Sequence, residues 1–236
     1  MNNNTTQILN DKYNDDFNTA LNIYENEYSH EDLIEFLKSG SVAQKQAAAL
    51  KLDKINSKKD AQILIANLTG CDGKIREAIS FRLKEFIPQN PEFFLDTQNT
   101  MLEAIIDING NICRNTITAI SSLKKYSQFT TEFCGKLIEK TKISIAKVKS
   151  FGIQDGKYKI NKEVFKLYWY LETISEFLEF ININILKKII EETKEIKDYT
   201  IREKTAKILS KINDDEDLLK LKQELKNDQN YYVRRF

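Results

Sequence analysis

The chain has 236 residues, of which 41% are hydrophobic, and its formal net charge is +1. With only two prolines and seven glycines, the composition favours an all-helical chain of one or two ordinary domains or one repeat array. No run of about 18 apolar residues exists to form a membrane span, and the near-zero charge argues against a strongly basic nucleic-acid-binding domain.

The N-terminal segment is polar and rich in asparagine, which predicts disorder over residues 1–13. It has neither the basic start nor the apolar centre of a secretory signal. An apolar helical stripe follows, and we expect it to pack as a capping helix over the start of the fold. The members of this stripe are Phe17, Ala20, Leu21, Tyr24 and Tyr28.

Two short helices are predicted next. Ser29 and Asp32 form a variant of the capping box before a helix that Gly40 ends. A second helix is predicted over Val42–Ile55, and Asp60 is expected to cap the helix after it.

One amphipathic helix, Asp72 to Phe86, organises the chain. Asp72 stands where its carboxylate can accept hydrogen bonds from the free N–H groups of the helix start. Arg76 lies within reach of Asp72 or of the next aspartate in a stack of helices. The apolar residues that share one helical face are Ile75, Ala78, Ile79, Leu83 and Phe86.

The same pattern returns at residues 198–212, where Asp198, Ile201 and Arg202 match Asp72, Ile75 and Arg76. Looser copies lie at residues 44–55, 109–123 and 163–174, and an incomplete copy begins at Asn230. Counted from Gln44 to Ile75, Ile112, Glu163, Ile201 and Val233, the steps are 31, 37, 51, 38 and 32 residues. Self-similarity at this spacing is typical of a repeat protein.

The motif Asp-x-x-Ile-Arg at the start of a second helix resembles the HEAT repeat family, including the short bacterial repeats of phycobilin lyases. The resemblance covers roughly residues 30–236. It implies a right-handed α-solenoid of about five to six helix pairs over residues 14–236, with an N-terminal capping helix and an incomplete last repeat. The second helices would line a concave surface. The long step of 51 residues predicts an insertion near residues 150–160, read as a loop or small hairpin.

Other elements complete the predicted array. Pro88 and Pro91 flank a break, and Pro91 suits the first turn of a helix over Phe93–Ile108. A long lysine-rich helix is predicted over Phe129–Val148. Further helices are predicted at Asn182–Glu195 and Asp214–Leu225.

Charge is unevenly distributed along the chain. Residues 1–37 carry eight carboxylates against Lys12 alone, whereas residues 136–166 carry nine lysines against three carboxylates. Such asymmetry can steer a charged partner.

The segment 162–180 is the most aromatic part of the chain. It holds Phe165, Tyr168, Trp169, Tyr170, Phe177 and Phe180. Two interpretations stay open: a core seam that packs the insertion, and a cluster that binds a partner.

No constellation for catalysis or metal binding is evident, and we expect no metal and no cofactor. His30 is the one histidine, and no ligand pattern surrounds it. Gly152 and Gly156 fit no phosphate-binding loop. Cys71, Cys113 and Cys134 form no Cys-x-x-Cys motif, which favours a reduced cytoplasmic protein.

Surface recognition is therefore the predicted activity. Positions 77, 80, 81 and 84 oppose the buried face of the organising helix, and the resemblance implies that they and their counterparts line the concave surface. The counterparts are Arg114, Ile117, Thr118 and Ser121, then Phe165, Tyr168, Trp169 and Glu172, then Glu203, Ala206, Lys207 and Ser210. Phe81 and Trp169 fall at the same position of their repeats, so both are candidate interface anchors. The predicted partner-binding residues are Phe81, Lys84, Lys166, Tyr168 and Trp169, and the predicted repeat motif is Asp72, Arg76, Asp198 and Arg202.

Three functions remain as alternatives. The first is a non-catalytic scaffold that binds a protein or an extended peptide on its concave face. The second is nucleic-acid binding, with the lysines of 136–166 on phosphates and Tyr158, Tyr168 or Trp169 stacked on bases; HEAT-like DNA glycosylases for alkylated bases are similar in architecture. The third, suggested by the motif resemblance alone, is a phycobilin lyase or a phycobilisome-degradation factor.

Overall fold

The structure, a computed structural model, describes the backbone of residues 3–236 and the side chains of residues 13–236. Within that part of the chain all regular structure is helical, with thirteen α-helices, three short 3-10 helices and no strand. The predicted all-α class is confirmed. None of these helices combines the length and the apolarity that crossing a bilayer requires. The chain divides into two compact units, Met1–Leu123 and Lys124–Phe236.

The seven α-helices of the first unit are α1 (Asn3–Glu25), α2 (His30–Ser39), α3 (Val42–Lys51), α4 (Lys58–Ala66), α5 (Gly73–Gln89), α6 (Gln98–Ala104) and α7 (Gly110–Ile120). Helices α3, α5 and α7 pack one after another, and α1 packs on α3. Along a second row, α2 packs on α4, and α4 on the 3-10 helix Pro91–Phe94.

The α-helices of the second unit are α8 (Ser127–Ser150), α9 (Lys157–Glu176), α10 (Ile183–Thr193), α11 (Tyr199–Ser210), α12 (Glu216–Leu225) and α13 (Tyr231–Arg234). Helices α9, α11 and α13 pack one after another, α8 packs on α9, and α10 contacts both α8 and α11. The six helices that carry the sequence copies, α3, α5, α7, α9, α11 and α13, are called the repeat helices below.

The matching apolar positions of the repeat helices form the core of each unit. The first of them, Ile75, Ile112, Ile201 and Val233, are each at most 3% exposed. Leu83, Leu171 and Leu209, which lie eight residues further along their copies, are fully buried. An amphipathic helix is stabilised mainly by burying such a stripe, so the shared spacing places each repeat helix with the same face inward.

Four repeat helices begin with the same side-chain cap. The side chains of Asp72, Asn109, Asp198 and Asn230 each accept a hydrogen bond from the backbone N–H two residues later, at 2.8–2.9 Å. The cap satisfies one of the free N–H groups of the helix start and contributes about 1 kcal/mol. Ser29 closes a capping box with Asp32 before α2, and a second box, Ser41 with Gln44, starts α3.

The predicted stripe on α1 differs from expectation. Among residues 13–25 of this helix, Ile23 alone is buried, and Phe17, Leu21 and Tyr24 face solvent. The predicted disorder of residues 1–13 falls mostly on residues whose side chains lie outside the described part of the chain, so it stays a prediction. The backbone there is helical from Asn3.

The predicted loop at 150–160 is shorter than expected. Helix α8 continues to Ser150 and α9 begins at Lys157, so the loop covers only residues 151–156 and contains no hairpin. Lys147 and Lys149 in the last turn of α8 complement its dipole and favour the extension. The long step between copies is therefore taken up by two long helices of 24 and 20 residues.

The predicted helix Phe93–Ile108 is broken into two elements, the 3-10 helix Pro91–Phe94 and α6. Side chains bind the backbone at the break, because Thr97 Oγ1 donates to the Phe94 carbonyl and Gln98 Nε2 to the Leu95 carbonyl, both at 2.6 Å.

The cap of α4 is Ser57 rather than Asp60. The Ser57 hydroxyl accepts from the Asp60 N–H at 3.2 Å, which leaves the Asp60 carboxylate free to contact His30 Nε2 at 3.1 Å. Helix α5 passes through Pro88 and ends one residue later, so the predicted break begins only after Gln89.

Candidate functional site on the repeat helices

The two strong copies share an Asp and an Arg at the same spacing, and in each the Arg forms an ion pair, called a rung below, with an Asp that precedes the next repeat helix. Arg76 donates to Asp107 through Nε at 2.7 Å and Nη2 at 3.3 Å, and Asp107 also accepts from the Asn109 N–H at 2.9 Å. Arg202 donates to Asp228 at 2.6 and 3.2 Å, and Asp228 accepts from the Asn230 N–H at 2.7 Å. Each arginine thus holds the turn that starts the next repeat helix.

The remaining guanidinium nitrogen of each arginine binds its own turn. Arg76 Nη1 donates to the Cys71 carbonyl, and Arg202 Nη1 to the carbonyls of Ile196 and Lys197 at 2.9 and 2.7 Å. At the matching place on α7, Cys113 Sγ donates to the Asp107 carbonyl at 3.0 Å. The predicted motif residues Asp72, Arg76, Asp198 and Arg202 therefore act as caps and rungs within the stack.

Electrostatics at the rungs follow from this geometry. The Arg202 guanidinium holds the pKa of Asp228 below its usual range, and the hydrogen bond to Asp107 raises the pKa of Arg76. Burial raises the pKa of the Cys113 thiol to about 12. That thiol therefore stays protonated at neutral pH and serves as a weak donor.

Phe81 lies on the side of α5 that faces away from the core and is 46% exposed. The ammonium of Lys84 lies 4.5 Å from the centre of its ring. A cation at this distance is attracted to the ring face and restrains both side chains. These two predicted partner-binding residues therefore contact each other, with Phe81 exposed and Lys84 half-buried.

Several positions expected to line the same surface are buried instead. Ser80, Ile117 and Ala206 are each at most 7% exposed. The neighbouring repeat helix is the cause in the first unit, where Asn115 Nδ2 lies 3.4 Å from Ser80 Oγ. Arg114 and Thr118 on α7 remain exposed, as does Phe81 on α5.

Trp169 is also buried, at 7% exposure, so it does not share the exposed environment of Phe81. Its ring packs edge-on against Phe165 and Tyr168, with centroids 6.1 and 5.3 Å apart. Its buried indole N–H has no hydrogen-bond partner among the described residues. Trp169 is thus buried as the core interpretation expects, and its assignment as a partner-binding residue stays a prediction.

A charged cluster beside these aromatics joins α9 to α11. The Glu172 carboxylate binds Lys204 Nζ at 2.8 Å and Lys207 Nζ at 2.7 Å, and Lys204 lies over the Tyr168 ring at 4.3 Å. Burial raises the pKa of Glu172, but the two lysines outweigh it and the net direction is downward. The sequence pattern places Glu172 and Lys207 on the predicted concave surface but does not predict that they pair. Residues that are 32 or 35 positions apart come into contact only when successive repeats stack.

The lysine-rich segment is less basic than its composition indicates. Glu163, whose side chain is 8% exposed, binds Lys147 at 2.9 Å and Lys166 at 3.5 Å. Five of the nine lysines in 136–166 are in ion pairs: Lys136, Lys147, Lys149, Lys159 and Lys166. Lys166, a predicted partner-binding residue, is thus an ion-pair partner of Glu163. The other predicted partner-binding residues are divided between the units: Phe81 and Lys84 lie in the first, and Tyr168 and Trp169 lie in the second with Lys166.

A metal centre is not evident in the described part of the chain, where no group of three or more His, Cys, Asp and Glu side chains is placed to hold an ion. His30 is paired with Asp60, and its side chain is 16% exposed.

Comparisons with known proteins add little. No family model matches the chain, and no curated protein matches it. A solved structure described as "Crystal Structure of Engineered Protein" is similar over 89% of this chain and 95% of its own length, at 14% identity and a TM-score of 0.48. At that score the match carries no inference about fold or function.

Proposed function

We propose that the chain is a right-handed HEAT-like α-solenoid that acts as a non-catalytic scaffold. In this proposal it binds a protein or an extended peptide on the exposed side of its repeat helices. The recurring caps and the Arg–Asp rungs support the solenoid, because each repeat then contacts chiefly its neighbours. The proposed location is the cytoplasm, which the three unpaired cysteines favour.

The observation that carries the proposal is the exposed ring of Phe81 beside the ammonium of Lys84. This large aromatic side chain is 46% exposed, so it presents an apolar surface to solvent while the cation contacts its ring. Aromatic residues of this kind are the usual anchors of protein interfaces, because they bury a large area at little cost in entropy.

A photo-crosslinking amino acid placed at position 81 tests this proposal in the cells from which the chain comes. We expect a discrete protein adduct at position 81. The matched control carries the crosslinker at Ile153, which is fully exposed in the loop between α8 and α9. Equal labelling at both positions, or no adduct at position 81, would remove the proposal.

Nucleic-acid binding is the second candidate, favoured by one observation. Tyr158 is 74% exposed at the start of α9, and the neighbouring Lys157 and Lys162 have no carboxylate within ion-pair distance among the described residues. An exposed aromatic between two free cations could stack a base and contact phosphates. The five paired lysines weigh against it, and we rank it second.

The glycosylase form of this candidate needs a free catalytic carboxylate near the aromatics. Both Glu163 and Glu172 on α9 instead bind two lysines each. Filter binding of a random single-stranded oligonucleotide at low and raised salt tests the binding itself. Retention should fall as the salt concentration rises. A slope of log affinity against log salt that is lowered by about 1.4 in Lys157→Gln/Lys162→Gln would support this candidate, because each phosphate contact on a single strand contributes about 0.7.

The third candidate, a phycobilin lyase or phycobilisome-degradation factor, rests on the motif resemblance alone. Mixing the chain with a free bilin tests it by absorbance. An unchanged bilin spectrum would remove the lyase form of this candidate.

A further inference from the structure

The loop between α8 and α9, residues 151–156, carries a large apolar side chain at its tip. Ile153 is fully exposed there. One exposed apolar residue is ordinary on a protein surface. This one, however, lies beside a hydrogen-bonded turn, an exposed tyrosine and two unpaired lysines, all at the same end of a helix pair.

Hydrogen bonds within the loop fix the turn that presents Ile153. The Asp155 N–H donates to the Gly152 carbonyl at 3.1 Å, which makes Ile153 and Gln154 the central residues of a β-turn. The Asp155 carboxylate accepts from the Gly152 N–H and from Lys159 Nζ, both at 2.9 Å. Because its neighbours already order this turn, binding through Ile153 costs little further entropy.

The end of the α8–α9 pair that carries the turn is basic. The loop is short and the two helices pack on each other, so the last turn of α8 and the first turns of α9 lie at this end. The lysines there are Lys147, Lys149, Lys157, Lys159 and Lys162. Three of them bind carboxylates, but Lys157 and Lys162 have none within ion-pair distance among the described residues. Two ammonium groups are therefore free to meet an anionic surface.

The side chains at this end favour a lipid surface over other partners. Tyr158, in the first turn of α9, is 74% exposed, and tyrosine is enriched where a bilayer meets water because its ring is apolar and its hydroxyl stays wet. The aliphatic tip of Ile153 gains most among acyl chains, whereas a nucleic acid offers bases and phosphates. Lysine is depleted in protein interfaces.

We propose that the 151–156 loop is a membrane contact, in which Ile153 enters the boundary between the headgroups and the acyl chains of an anionic bilayer. Tyr158 lies at the level of the headgroups, and Lys157 and Lys162 bind anionic headgroups. Binding of this kind grows with the apolar area buried and with the attraction to anionic lipid, so it is peripheral and reversible. The contact does not involve Phe81, so the two proposals are tested independently.

Flotation of the full chain with lipid vesicles tests the contact. The vesicles contain phosphatidylcholine alone, or phosphatidylcholine with about a third phosphatidylserine to supply surface charge. We expect binding to the anionic vesicles that weakens as the salt concentration rises. Ile153→Ser should weaken this binding about tenfold, because it removes one inserted apolar side chain. Lys157→Gln/Lys162→Gln should weaken it about 30-fold, at about fivefold for each lysine.

Two variants in the first unit are matched controls. Ile108→Ser makes the same change at an isoleucine that is 80% exposed, and Lys54→Gln/Lys59→Gln removes the same charge from two exposed lysines. Both should bind the anionic vesicles like the wild type, and circular dichroism should show equal helicity in all variants. Fluorescence of Ile153→Trp reports insertion: its emission should shift to the blue on anionic vesicles and be quenched by brominated acyl chains.

The proposal fails if the chain does not bind anionic vesicles at low salt, if Ile153→Ser binds them like the wild type, or if Ile153→Trp shows no blue shift. Equal binding to the neutral vesicles would also overturn it, because the lysines would then play no part. If Ile153→Ser weakens retention of a single-stranded oligonucleotide more than it weakens vesicle binding, the loop belongs to a nucleic-acid interface and the membrane contact is overturned.

Discussion

Arg202 and Asp228 meet edge to edge, with two parallel hydrogen bonds of 2.6 and 3.2 Å between guanidinium and carboxylate. Arg76 and Asp107 repeat the arrangement at 2.7 and 3.3 Å. In both pairs the arginine belongs to one repeat helix and the aspartate to the turn before the next. Bidentate pairs fix orientation as well as distance, so each rung sets how one repeat sits on the following one.

Removing a rung carboxylate should destabilise the unit that contains it. Asp107 and Asp228 are only 9% exposed, and their arginines 16% and 18%, so Asp107→Ala or Asp228→Ala leaves a largely buried guanidinium unpaired. We expect a loss of about 2–3 kcal/mol in the free energy of unfolding, measured by chemical denaturation. The control is Lys58→Gln, which breaks the exposed ion pair with Asp96 and should cost less than about 0.5 kcal/mol. Equal effects in rung and control variants would contradict the prediction.

The rung of the second unit should also weaken in acid. The folded pKa of Asp228 lies below its unfolded value, because Arg202 stabilises the carboxylate. Its contribution is therefore fully present above the unfolded pKa of about 4 and is lost as the pH falls through the folded value. Wild type and Asp228→Asn should differ in unfolding free energy at pH 7 and converge once the pH lies below the folded pKa of Asp228. A difference independent of pH would show that the charge of Asp228 does not stabilise the fold.

The three cysteines should differ in reactivity. Burial raises the pKa of Cys113 to about 12 and that of Cys134 to about 11, and both thiols are buried, whereas Cys71 is half-buried. The thiolate is the reactive form, so only Cys71 should react with an aromatic disulfide reagent at pH 8 in the native chain. All three should react in guanidinium chloride. Fast reaction of Cys113 or Cys134 in the native chain would mean that α7 or α8 opens readily.

The parts of this fold that could be predicted are those that short-range patterns determine. Ile75 and Ile201 fall on the buried side because the spacing of apolar residues on a helix leaves one choice. Asp72 caps its helix because the two residues after it determine the contact.

The parts that could not be predicted depend on the neighbouring helix. Whether Arg76 would bind Asp72 or the next aspartate is decided by stacking, and so is the burial of Trp169. The length of α8 and α9 was misjudged because glycines at 152 and 156 indicate a loop without indicating its extent. On α1 the spacing of Phe17, Leu21 and Tyr24 indicates an apolar face, but it does not indicate whether another element covers that face.

Trp169 and Phe81 occupy matching positions in their repeats yet should respond oppositely to truncation. Trp169 is 7% exposed and packs on Phe165 and Tyr168, so Trp169→Ala leaves a cavity and should cost about 3–5 kcal/mol of unfolding free energy. Phe81 is 46% exposed, so Phe81→Ala should lower the free energy of unfolding by less than about 1 kcal/mol. The same variant should bind more weakly the partner that the crosslinker at position 81 identifies. Thermal unfolding followed by circular dichroism measures the first effect in both variants. If Trp169→Ala melts with the wild type, the tryptophan is not a core residue, and its assignment to the interface is favoured instead.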